Sequence, residues 1–205
     1  MGNRIPLWLK IGWTAWLAVW APVYLHQYGP QNFLFFCDIG NVLIGIALWL
    51  ESPLIFSWAA CGLLLFQTLY LVDLFGAFFS GHHLVGGTEY MFDPGIPLLV
   101  RLLSLFHIPT PPLLLWAIWK VGYDARGWKL QSILTWIVIP INYFWRPQLD
   151  VNFARGLFFR EQHAVPGWLY LLAYLVLVPL VVYYPTHRFL AWATRRRPHD
   201  SCSTV

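Results

Sequence analysis

Three charged residues stand inside apolar runs of this chain. They are Asp38 in Phe35-Phe36-Cys37-Asp38-Ile39-Gly40-Asn41, Asp73 in Leu71-Val72-Asp73-Leu74-Phe75, and Arg101 in Leu98-Leu99-Val100-Arg101-Leu102-Leu103. A charge in such a setting needs a partner or a job, because leaving it alone in a bilayer costs about 2.5–3.5 kcal/mol on insertion scales. The natural arrangement sets Asp38 against Arg101, with Asp73 competing for the same guanidinium. Two carboxylates against one arginine leave a negative charge over, to be balanced by a proton, a metal ion, a cationic ligand or a histidine. As a catalytic set, Asp38 and Asp73 would serve as base or ligand and Arg101 as a clamp for a phosphate or carboxylate.

A second group of candidates surrounds these three. The stretch Ser80-Gly81-His82-His83-Leu84-Val85-Gly86-Gly87-Thr88-Glu89-Tyr90-Met91-Phe92-Asp93 carries two histidines and two acids among glycines. Histidine and carboxylate together bind divalent metals or move protons. Adjacent histidines point in different directions, however, and no HExxH or spaced histidine box occurs. His26, Asn41, His82, His83, Glu89 and His107 are the candidates for ligand contacts, and the sequence specifies neither a metal nor a cofactor. His26 and His107 are compatible with a shared haem, and the many aromatics with a quinone or pigment, but nothing selects either. No P-loop, GxGxxG, GxSxG or nucleic-acid-binding motif is present.

The elements that must position these residues follow from composition. Of 205 residues, 59% are hydrophobic and 11% charged, against about 25% charged in a soluble domain. Lipid is the expected solvent. Spans of about 20 apolar residues fall at 7–25, 32–50, 54–79, 96–122, 130–146 and 167–188. The expected fold is all-α, a single polytopic domain of about six transmembrane helices. Ser52-Pro53 and Asp93-Pro94 read as helix starts. Pro109-Thr110-Pro111-Pro112 breaks the fourth helix, with Thr110 capping a fresh one. Counted from these helix ends, Asp38, Asp73 and Arg101 lie at matched depths of about 9 Å, at 1.5 Å per residue. The three cysteines form no disulfide framework.

Lysine and arginine counts orient the chain. With six spans, nine (Arg4, Lys10, Lys120, Arg126, Lys129, Arg188, Arg195, Arg196, Arg197) share the side of both termini, against Arg146, Arg155 and Arg160 opposite. Both termini are expected to be cytoplasmic, in a bacterial inner membrane. The basic tail 189–205 would rest Arg195, Arg196 and Arg197 on anionic headgroups. Most acids and histidines then gather toward the outer half.

The runs HQYGPQNFLFFCDIG, ALWLESPL, YMFDPGIPLLVRLLSLFH and KVGYDARG resemble a family of small polytopic bacterial membrane proteins described only as membrane-associated, over about residues 24–145. The resemblance implies the class and a bacterial source, and it supplies no catalytic residues. The leading expectation is an outer-leaflet site that binds or processes a lipid or small anionic molecule. The alternatives are a non-catalytic accessory subunit of a larger membrane complex and a small transporter.

Overall fold

The computed structural model describes residues 5–145, 149–157 and 162–195. All six apolar segments are helical, and no strand occurs among the described residues. In chain order the helices are α1 (Leu7–Tyr28), α2 (Phe36–Leu50), α3 (Pro53–Ser80), α4 (Leu98–Leu103), α5 (Thr110–Val121), α6 (Gly127–Phe144), α7 (Gly167–Val178) and α8 (Tyr184–Arg195). Three helical stretches are long and apolar enough to cross a membrane: Pro53–Ser80, Leu98–Val121 and Gly167–Arg195. The helices α1, of 22 residues, and α6, of 18, have the length but are less apolar, and α2 is apolar but only 15 residues long.

Helix α3 is the axis of the bundle, packed against α2, α5 and α6. Small residues make the close approach possible. A Cβ on Gly127 would lie 2.5 Å from the Ser57 backbone carbonyl carbon, and one on Gly40 would run into Leu63. Down α1, Trp13, Trp16, Trp20, Tyr24 and Tyr28 recur at three- and four-residue spacing, and their rings touch in sequence with centroids 5.1–5.7 Å apart. That periodicity is one helix face, and it packs against Phe33 and Phe106.

The turn after α2 is as tight as expected: Ser52 accepts the Ile55 N–H, and Pro53 opens α3. Lys10 reaches across it to Glu51 at 2.7 Å. The fourth segment is interrupted, but differently from the expectation. The α-helical ladder already gives way at Ser104, followed by a 3-10 turn Ser104–His107, and α5 resumes at Thr110. Pro109, Pro111 and Pro112 have no N–H to offer the carbonyls one turn back. Local donors stand in: Ile108 N–H reaches Leu105 O, and the Thr110 hydroxyl donates back to Phe106 O instead of capping forward. Asp93 likewise does not cap a helix. It accepts the Gly95 N–H at 2.7 Å in a local turn, and α4 starts at Leu98 after Pro97.

Between α7 and α8 the chain remains helical through a π turn, Pro179–Tyr183, where Pro179 and Pro185 each remove a ladder donor. The outward faces are strongly apolar: Trp168, Leu172, Val176, Leu180 and Val181 on the last helix, and Phe78 and Phe79 on α3, are more than half exposed.

Candidate functional site

Arg101 pairs with neither carboxylate. The ion pairs among the described residues are Lys10–Glu51, His83–Asp73 and Arg126–Asp124. The Arg101 guanidinium instead donates from Nη1 to the Met91 carbonyl at 3.2 Å, and its Nε is buried without a partner. The expected Asp38–Asp73–Arg101 triad is therefore not formed. The depth count misled because it began from the wrong helix end. Residues Pro30–Leu34 form a separate 3-10 turn, so α2 begins at Phe36 and Asp38 lies on its first turn.

Asp73 has a structural position. It sits seven residues before the end of α3, about 10 Å along the axis, and the following loop folds back onto it. Its Oδ1 accepts the N–H groups of Val85 at 2.7 Å and Gly86 at 2.8 Å. Its Oδ2 accepts the Thr88 hydroxyl and faces His83 Nδ1 at 2.9 Å. Gly81, Gly86 and Gly87 supply positive φ values of 74°, 98° and 101°, conformations cheap only for glycine. His83 is thus a partner of Asp73. His82 is exposed, as is His26 on the last turn of α1, and Glu89 accepts the Gly87 N–H at 2.7 Å. No three His, Cys, Asp or Glu side chains among the described residues are grouped to hold a metal.

The refolded loop closes over a cavity of about 400 Å³. Its walls come from the end of α1, the 3-10 turn and start of α2, the middle of α3 from Gly62 to Tyr70, residues 85–90, the break at Phe106–His107, and Phe153 and Tyr174. Of the expected site residues, Asp38 and His107 line it; Asn41, Asp73, Arg101, His26, His82, His83 and Glu89 do not. Asn41 is fully buried, with both amide atoms unpartnered.

Asp38, 2% exposed, is held by neutral donors: Asn32 Nδ2 at 2.6 Å and the Cys37 thiol at 3.7 Å. The first turn of a helix also favours a negative charge. The turn is anchored from a distance. Asn152 accepts the Phe36 N–H at 2.8 Å and donates to Leu34 O at 2.7 Å, so a side chain 116 residues away caps α2. Asn152 itself has a left-handed backbone, φ 58°, and its carbonyl accepts the Tyr174 hydroxyl.

His107 stacks between Tyr70 and Phe106, each with its centroid 4.0 Å away. Its Nδ1 lies 2.7 Å from the Ser104 carbonyl. A carbonyl only accepts, so Nδ1 carries the proton and the neutral ring keeps its lone pair on Nε2. Sequence reasoning missed Gln67. Lying within Leu65-Phe66-Gln67-Thr68-Leu69, it lines the cavity at 2% exposure with both amide atoms unpartnered. Its signal in the sequence is an amide midway along an apolar helix, weaker than a full charge because an amide is cheaper to bury. The Tyr70 and Tyr90 hydroxyls, bonded at 2.8 Å, complete the polar rim.

Fold and site together define an all-helical protein with three membrane-length apolar helices and an aromatic-walled cavity against the middle of α3. Compared with protein-family models, curated proteins and solved structures, the chain matches none.

Proposed function

We propose that this is a multi-pass bacterial inner-membrane protein that binds an amphipathic, lipid-like molecule in the cavity beneath the 81–92 loop. The carrying observation is Gln67. A buried amide with neither its N–H₂ nor its oxygen satisfied costs several kcal/mol on apolar transfer scales, and this one lines an apolar cavity. A molecule with an apolar body and a small polar group would satisfy it while covering the surrounding rings. Lipid as the solvent is supported by the apolar side chains exposed along α3 and the last helix, because soluble monomers rarely expose such continuous surface.

The six helical segments, with α4 and α5 as one broken pass, lead back to the same end-to-end arrangement. Among the described residues, Lys10, Lys120, Arg126, Lys129, Arg188 and Arg195 belong to the end of the bundle holding the α2–α3 turn and the α5–α6 loop, which supports reading it as the cytoplasmic end under the positive-inside rule. The cavity then opens toward the outer leaflet. Arg195 ends α8 at the basic end, ready for anionic headgroups; Arg4, Arg146, Arg160, Arg196 and Arg197 lie outside the described residues. The expected anionic ligand fits the cavity poorly, since among the described residues no lysine or arginine lines it.

The test is extraction in a mild uncharged detergent followed by native mass spectrometry and organic extraction of whatever copurifies. A bound amphiphile should accompany the unaltered protein and be depleted from a folded Gln67→Leu variant. Equal retention by both would remove the support for this site.

A further inference from the structure

Resting on that reading, we propose that the polar group of the bound amphiphile is a primary ammonium, held by Asp38, Gln67 and His107. Four features of the cavity support this choice.

The first is an uncompensated carboxylate. Asp38 is almost wholly buried, forms no ion pair, and is supported only by an amide and a thiol. Buried carboxylates retain their charge when a cation stands opposite, and here none of the described residues supplies one. Asp73, by contrast, is satisfied by its loop and Glu51 by Lys10.

The second is the balance of donors and acceptors. Asp38, Gln67 and His107 all line one cavity and each carries an acceptor (the carboxylate, the amide Oε1 and the imidazole Nε2), and an –NH₃⁺ group has three donors and no acceptor. The Gln67 amide N–H₂ is left for an oxygen on the neighbouring carbons of the ligand.

The third is the ring surface. Tyr24, Tyr28, Tyr70 and Tyr90 line the cavity, and aromatic faces attract cations most strongly where water is excluded. Asp38 lines the same cavity as Tyr24 and Tyr28, so the rings and the carboxylate belong to one neighbourhood. The fourth is exclusion. A phosphate or carboxylate would stand beside Asp38 with no lysine or arginine on the described walls to offset the repulsion.

The experiment titrates the purified full chain, in an uncharged maltoside, with four twelve-carbon probes: dodecylamine, dodecyltrimethylammonium, 1-dodecanol and dodecyl phosphate. Binding is read by native mass spectrometry. Dodecylamine should bind at least about tenfold more tightly than the other three, a difference of about 1.4 kcal/mol. In Asp38→Asn the amine should fall to the affinity of the alcohol, while Asp38→Glu, which keeps the charge, should retain part of the preference. Equal binding of amine and alcohol by the unaltered protein overturns the ammonium assignment and leaves the amphiphile site standing. So does a preference that survives Asp38→Asn. Tighter binding of dodecyltrimethylammonium than of dodecylamine overturns the three-acceptor argument. Failure of all four probes to bind overturns the amphiphile site itself.

Discussion

The Asp73 carboxylate on α3 accepts the backbone N–H of Gly86 at 2.8 Å, thirteen residues further along the chain. That bond, with those from Val85 and Thr88, turns a glycine-rich connection into a wall of the cavity. Replacing Asp73 with alanine removes the acceptor for every one of these donors. Bonds to charged groups contribute about 1.5–3 kcal/mol each, so Asp73→Ala should destabilise the protein by at least about 3 kcal/mol. Amide hydrogen exchange should rise at Val85 and Gly86. Unchanged exchange at those two positions would mean that the carboxylate does not hold the loop.

Arg101 should be less costly to lose. Its observed hydrogen bond is to the Met91 carbonyl, and its buried Nε finds no partner. Arg101→Ala is expected to cost about 1.5–3 kcal/mol, the value of one hydrogen bond to a charged group. Breaking a buried ion pair would cost about 3–5 kcal/mol. Thermal unfolding of Arg101→Ala, Asp73→Ala and the double variant should be additive to within about 0.5 kcal/mol. A double variant more stable than Asp73→Ala alone would restore the pairing that the structure lacks.

Lys10 and Glu51 are the pair that behaves as Arg101 was expected to. Their side chains are 5% and 19% exposed and meet at 2.7 Å. Lys10→Met should cost up to about 3–5 kcal/mol by removing the cation that faces the Glu51 carboxylate. Adding Glu51→Gln should recover most of it, because the buried charge is then gone. A chemical denaturation series in detergent that finds no recovery would assign the loss to packing of the lysine stem instead.

Thr110 repairs the proline break. Its hydroxyl donates to Phe106 O at 2.7 Å, beside three prolines that offer no N–H. Thr110→Val keeps the shape and leaves that carbonyl one donor short, for an expected loss of about 1–3 kcal/mol. Thr110→Ser should be nearly neutral. Equal melting temperatures for the valine and serine variants would show the hydroxyl to be dispensable.

The helical content and the approximate limits of the six apolar segments follow from local properties of the chain. An apolar run long enough to be a buried helix must satisfy its backbone internally, and Ser52-Pro53 or Pro109-Thr110-Pro111-Pro112 act on the hydrogen bonds of their immediate neighbours. Those features are legible without a fold. What surrounds each polar side chain is not. Asp38 and Asp73 look equivalent as lone acids in apolar helices, yet a returning loop surrounds Asp73, whereas Asp38 opens onto a cavity. The start of α2 depends on Asn152, more than a hundred positions away, so depth counted along the chain placed Asp38 against the wrong residues. Gln67 carries no charge to draw notice, and its importance arises only because none of the described residues brings it a partner. Hydrogen bonds and ion pairs require matching within a fraction of an ångström, set by how whole helices pack. Hydrophobic patterning decides which face turns inward, and only the tertiary structure decides which polar groups meet there.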